Sequence, residues 1–321
     1  MRHMRLRLLL SLGLAAGAAL WLLLPSASPA YEGGEVAGGG TIRGRVVLDG
    51  PVPEPRVFPM VLYPFGNYCK KISDGNGHVL LREFNVDAAG GLQDAVVAVQ
   101  GVARGKRFAY RDHQLVTIHC MFHPADVPEE EQFERRDGAL SHVHPLVSVM
   151  RNHWPLSVIN QDPIAHGAQI YQQQSGHRVL SFPIPPASRR PSGGFVHVRE
   201  GLNIVQIICP MHEYMQSWGW IVDNPYYEKT RRGGEFVIED VPPGAYTVTA
   251  WHPHLKPLER RVTVPPRGEV TVDFIFDARR VVRPIYETQA QFRIPPESDP
   301  FQDLKGCEGP FCVTRAHDHQ H

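Results

Sequence analysis

The chain lacks the signatures of the commonest biochemistries. It carries no net charge, with 33 basic against 33 acidic side chains, so no global field draws it to nucleic acid. There is no C-x-x-C-H for covalent haem attachment. No G-x-S-x-G, H-E-x-x-H or glycine-rich phosphate loop occurs either, so hydrolase, metalloprotease and nucleotide chemistry have no motif to stand on. Asp and Glu are abundant, but none is paired in a pattern that marks general acid–base work. Beyond the N-terminus no stretch reads as a buried helix bundle. Cysteine is scarce, five in all, at 69, 120, 209, 307 and 312.

What the chain does have is turn-forming residues and short apolar runs. Gly and Pro each number 29 among 321 residues, which suits many short strands joined by turns. A length of 321 residues accommodates two or three domains. Arg2, Arg5 and Arg7, the apolar run Leu8 to Leu24 and the small residues Ser28-Pro29-Ala30 form a targeting segment over 1–30. It is a signal peptide or, uncleaved, a membrane anchor. Either way the body is expected outside the cytoplasm, periplasmic or extracellular. Export implies oxidising conditions, in which thiols pair. An odd cysteine count then leaves one thiol to explain. If Cys209 binds a metal, the other four can pair, with Cys69–Cys120 and Cys307–Cys312 favoured among three connectivities.

Residues 31–40 are a Gly-rich leader. Strand candidates follow at Thr41–Leu48, Leu92–Val99, Gln114–His119, Leu146–Met150, Pro155–Asn160, Gly167–Tyr171, Phe195–Val198, Asn203–Ile208 and Trp218–Val222, the pattern of an antiparallel sandwich or barrel. An acidic, helix-friendly insertion (Glu129, Glu130, Glu131, Glu134) lies near 126–138. A second unit spans 228–277, with period-two alternation in Tyr246, Val248 and Ala250 and in Val270, Val272, Phe274 and Phe276. Its G-x-F-x-I…P-P-G-x-Y-x-V-x-A-W-H pattern resembles the carboxypeptidase regulatory-like module, a small Ig- or transthyretin-like sandwich without peptidase chemistry. Residues 278–321 form an Arg- and Pro-rich tail ending in His317-Asp318-His319-Gln320-His321, a tract able to scavenge metal.

The most informative stretch is Cys209-Pro210-Met211-His212-Glu213-Tyr214-Met215, a C-x2-H-x2-M pattern with a further imidazole upstream at His166. Two His, one Cys and a weak axial Met make up the ligand set of a blue-copper centre, and soft sulfur with imidazole favours copper. On these residues, segment 41–224 resembles the cupredoxins, most closely the short-loop, amicyanin-like kind, and the tandem resembles exported bacterial plastocyanin-like proteins. The resemblance implies an all-β, Greek-key cupredoxin sandwich followed by the smaller sandwich. It also implies one type 1 copper ion, with His166, Cys209 and His212 as equatorial ligands and Met215 axial. Two departures stand out. Gly167 follows His166 where many cupredoxins have an Asn that ties the ligand loops together, and Pro210 follows Cys209. The Met211 N–H is then the expected donor to the Cys209 sulfur.

Two plainer readings compete. Cys120, His123, Cys209 and His212 match a Cys2His2 zinc site, and Cys209 could be a buried thiol beside a surface His212. Other histidines with chelating spacing, His142-x-His144 and His252-x-His254, read as solvated or locally hydrogen-bonded, and Trp218 and Trp220 as core packing. A multicopper oxidase needs His-Cys-His, absent at Ile208-Cys209-Pro210, and a dinuclear electron-entry site needs a second loop cysteine. The sequence therefore predicts a non-enzymatic one-electron carrier for an exported or membrane-bound redox partner such as a c-type cytochrome. The alternative is a metal-handling or scaffold protein.

Overall fold

A computed structural model describes residues 31–282, apart from 60–65, 75–77, 110–114, 129–132, 137–138, 143–146, 189, 200 and 202. The targeting segment, the Cys307–Cys312 pairing and the His-rich tail lie outside the described residues. The described strands belong to one compact unit that begins at Glu32. Regular structure in it is nearly all β, as the turn-rich composition predicts; the short helical turns Gly66–Cys69 and Lys70–Ile72 are the exceptions among the described residues. No described helix is long and apolar enough to cross a membrane.

Two sheets frame the site. The first has the order Val147–Arg151, His212–Val222, Ile204–Cys209, His166–Gln172, Arg178–Ile184; the second has Ser192–Val196, Trp154–Asn160, Leu115–Ile118, Met121–Pro124. Both mix antiparallel pairs with one parallel pair, Val147–Arg151 on His212–Val222 and Trp154–Asn160 on Leu115–Ile118. A continuous apolar core fills the interior, with Leu115, Phe122, Leu156, Val158, Ile170, Val205 and Ile207 all nearly inaccessible. Burying each such side chain contributes about 1.5–3 kcal/mol. Alternation along the strands directs these residues inward.

Eight further strands form two four-stranded arrays, and the other described strands pair two by two. In one the order is Tyr227–Lys229, Val96–Gln100, Gly244–His252, Leu255–Val264; in the other Glu235–Val241, Gly40–Asp49, Glu269–Thr271, with Phe274–Asp277 also paired to Gly40–Asp49. This departs from the expected division at 224/228. The early strand expected to open the first sandwich runs instead beside Glu235–Val241, with Ile42 opposite Ile238, and Val96–Gln100 runs beside Gly244–His252. A strand buries its apolar face and satisfies its backbone wherever a partner of matching register lies. The strands of 228–277 have edges that the N-terminal strands complete.

Trp218 and Trp220 lie buried on one face of the first sheet, packed with Val96, Ala98 and Trp251. The indole rings of Trp220 and Trp251 stand 5.3 Å apart. They are core, as the alternation predicts. The acidic insertion is not helical where it is described: Phe133–Arg136 and Ala139–His142 form an antiparallel hairpin.

Candidate metal centre

Three donor atoms converge at the ends of adjacent strands. His166 opens His166–Gln172, Cys209 closes Ile204–Cys209, and these strands pair antiparallel with Gln169 opposite Ile208. Pro210 and Met211 form a two-residue turn, after which His212 opens the third strand, paired directly with Cys209. The expected ligand loop is thus a tight hairpin. It puts thiol and imidazole side by side without a long loop to order.

The His166 and His212 Nδ1 atoms lie 3.3 Å apart, Cys209 Sγ lies 3.5 Å from the Nδ1 of His212 and 4.0 Å from that of His166. Cys209 and His212 are fully buried and His166 almost so. A point equidistant from the three atoms sits about 2.1 Å from each, close to metal–imidazole and slightly short of metal–thiolate bond lengths. The distances and the mixed N/S donor set therefore fit a single transition-metal ion with two imidazoles and one thiolate. Such an ion would supply one-electron exchange or Lewis acidity, according to its identity.

The outer nitrogens of both imidazoles are also held. His166 Nε2 is 2.8 Å from the Asp162 carboxylate, the carboxylate–histidine–metal arrangement that fixes tautomer and ring orientation. Asp162 is fully buried and accepts hydrogen bonds from the backbone N–H groups of His119 (2.7 Å) and Cys120 (2.9 Å) and from the Tyr68 hydroxyl (3.0 Å). His119 and Cys120 both adopt positive φ, 53° and 58°, a costly turn for non-glycine residues that the carboxylate pins in place. That turn presents Cys120 to Cys69, and the two form a disulfide. On the other side, His212 Nε2 rests 3.8 Å from Cys69 Sγ. One disulfide-tied segment thus backs both imidazoles.

The electrostatics follow from these contacts. Burial pushes the Cys209 thiol up, but hydrogen bonds to His166 and His212, the His212 charge and the Gly167 backbone N–H outweigh it and hold the group at about 6 rather than 9.0. Burial pushes His166 down, but its bonds to Asp162 and Cys209 raise it from 6.5 to about 8. Burial would raise Asp162, yet His166, the Cys120 N–H and Tyr68 hold it below its ordinary value. The site favours a thiolate beside cationic or polarised imidazole.

The structure brings together His166, Cys209 and His212 from the sequence-derived set. Met215 is fully buried in the same apolar cluster as Cys209, Cys120 and Tyr214. It lies inside His212–Val222, where the pairing slips between Ile208 opposite Gln216 and Cys209 opposite His212. Glu213, Tyr214 and Met215 thereby bulge from the ladder, a device that re-aims side chains beside functional sites. The Cys2His2 zinc reading fails, because the Cys120 sulfur is committed to the disulfide and Cys209 is the free cysteine among the described residues. The sulfur of Cys209 takes a backbone hydrogen bond from Gly167, where sequence reasoning looked to Met211. Asp162 escaped that reasoning; the spacing D-x3-H before His166 was its signal.

No protein-family model and no curated protein matches the chain. Among solved structures, a purple cupredoxin from Nitrosopumilus maritimus aligns at 13% identity over 35% of this chain and 100% of its own, with a TM-score of 0.22. The Bacillus anthracis TIE protein aligns at 9% identity over 74% of this chain and 51% of its own, so this chain spans about half of it, with a TM-score of 0.14. At such scores neither likeness bears on the site, whose reading stands on its own distances. Fold and site together define an all-β protein with a buried His–Cys–His cluster suited to one metal ion.

Proposed function

We propose that this is an exported mononuclear copper protein acting as a one-electron carrier, with copper held by His166, Cys209 and His212 and a weak axial contact from Met215. The observation that carries the reading is the triangle of two Nδ1 atoms and one Sγ, with sides of 3.3, 3.5 and 4.0 Å, buried against an apolar cluster. Soft sulfur with imidazole selects copper, and a Met thioether tunes potential without binding strongly. Asp162 against His166 and the disulfide against His212 keep the donors in place while charge changes, which is the protein's share of fast electron exchange. Its partner on this reading is a redox protein outside the cytoplasm, such as a c-type cytochrome, met in a weak transient encounter.

Burial of both imidazoles, with the outer nitrogen of His212 against Cys69, favours a second reading in which the site stores or handles copper. Copper-loaded, oxidised protein decides between them. The carrier should show intense thiolate-to-copper absorption that bleaches reversibly on reduction and vanishes in Cys209→Ser. Retention of the band in that variant would sink the assignment, and a band that bleaches but does not recover would favour copper handling.

A further inference from the structure

A second pair of imidazoles lies on the surface. His153 sits in the turn between Val147–Arg151 and Trp154–Asn160, and His197 directly follows Ser192–Val196. Trp154 pairs with Val196, so the antiparallel register sets His153 across from His197. Their Nδ1 atoms are 2.9 Å apart, with ring centroids at 4.4 Å and planes tilted by 49°. Both side chains are exposed.

The pair is pre-arranged by the backbone. His153 holds a positive φ of 55°, and its N–H donates to Val196 O at 3.0 Å. The buried Asn152 side chain clamps both strands. Its Oδ1 accepts from the N–H groups of His153 and Val198, and its Nδ2 donates to Val198 O and to Asp223 Oδ1. The cost of fixing this geometry is thus met by folding, before any ligand arrives.

We propose that His153 and His197 form a solvent-facing Cu(II) site. Two nitrogens bound at right angles to a metal at about 2.0–2.1 Å stand about 2.9 Å apart, which matches the separation of the two Nδ1 atoms. Imidazole donors suit Cu(II), the tightest-binding of the first-row divalent ions, with water completing a tetragonal shell. The seven-residue strand Trp154–Asn160 leads from this pair toward the loop that carries Asp162 and His166. At about 3.3 Å per residue that is about 20 Å. The surface site therefore works whether or not Cys209 holds copper.

The test is calorimetric titration of CuCl2 into the full chain, alongside His153→Gln and His197→Gln. Cys209 and the His-rich tail are the same in all three proteins. Each variant should lose one Cu(II) equivalent, together with an EPR signal of tetragonal Cu(II) bound to nitrogen. Equal stoichiometry and spectra would overturn the assignment and leave a hydrogen-bonded imidazole pair. Should a variant fail to fold, the unmodified chain decides by NMR. Substoichiometric Cu(II) should broaden the ring resonances of His153 and His197, and sharp resonances there would overturn the site.

Discussion

Gly167 and Pro210 are neighbours across the strand ends that carry His166 and Cys209: a Cβ added to Gly167 would meet Pro210 Cδ at 3.1 Å and Cγ at 3.2 Å. The two departures from the expected cupredoxin pattern are therefore one contact. A side chain beside the imidazole would press on the proline beside the thiolate, whose ring would have to give by a few tenths of an ångström. The glycine's own N–H then reaches the Cys209 sulfur, so backbone ties the two ligand segments where a side chain was expected.

Gly167→Ala should therefore cost on the order of 1–3 kcal/mol through overpacking. Pro210→Ala in the same chain should recover most of that loss. Denaturant unfolding of the two single variants and the double variant measures the coupling. Strict additivity would mean that the contact is not the reason for the glycine.

The Cys69–Cys120 bridge closes a loop with a sequence separation of 51. Chain entropy gives it roughly 4 kcal/mol of stabilisation. Replacing both cysteines by alanine should lower the unfolding free energy by about that amount. Because the bridge also backs His212, copper affinity should fall in the same variant, read by competition with a chelator. Unchanged affinity would show that the hairpin alone positions His212.

Asp162→Asn keeps the shape and removes the charge beside His166. Metal affinity should drop about 10–100-fold, the usual cost of losing such a partner. The metal-free protein adds a pH signature. His166 is raised from 6.5 to about 8, so its contribution to stability is complete below pH 6.5 and lost as pH rises through 8. Cys209 is depressed from 9.0 to about 6, so its contribution is present above pH 9 and lost as pH falls through 6. The two slopes oppose each other between pH 6.5 and 8. Cys209→Ser removes the opposing slope and the share of the His166 shift that Cys209 supplies, so urea unfolding of that metal-free variant isolates the share that Asp162 supplies and should show stability falling across this window. Adding Asp162→Asn to Cys209→Ser should remove the remaining fall, and an unchanged profile in that double variant would argue against the Asp162–His166 pairing.

Met215→Leu nearly conserves volume and should cost under about 1.5 kcal/mol. If the thioether contacts copper, its removal withdraws a donor that stabilises the oxidised ion more than the reduced one. The midpoint potential should then rise, as measured by redox titration of the visible band. An unchanged potential would assign Met215 to packing alone.

Much of the fold was legible because strands write themselves as period two. The alternation of Val270, Phe274 and Phe276 and of Val248 and Ala250, with Gly and Pro between runs, marks strands without tertiary information. Pairing partners were less legible. Nothing within Gly40–Asp49 says that its neighbours are Glu235–Val241 and Phe274–Asp277, because register is settled by faces that meet only after folding. The acidic segment near 126–138 shows the same limit. Its composition suits a helix, yet Phe133–Arg136 finds a strand partner in Ala139–His142.

The sequence by itself determined the chemistry of the site. C-x2-H with His166 upstream names the donor types, and the odd cysteine singles out Cys209. Tertiary structure alone decided the arrangement: the Pro210–Met211 turn that sets Cys209 against His212, and the bulge that carries Met215. It likewise placed Asp162 and Cys69 behind the imidazoles, and His153 across from His197. Donor identity is a property of side chains and survives in one dimension. Donor distance depends on backbone register between segments remote in sequence, and register is fixed when buried faces and backbone hydrogen bonds are satisfied together.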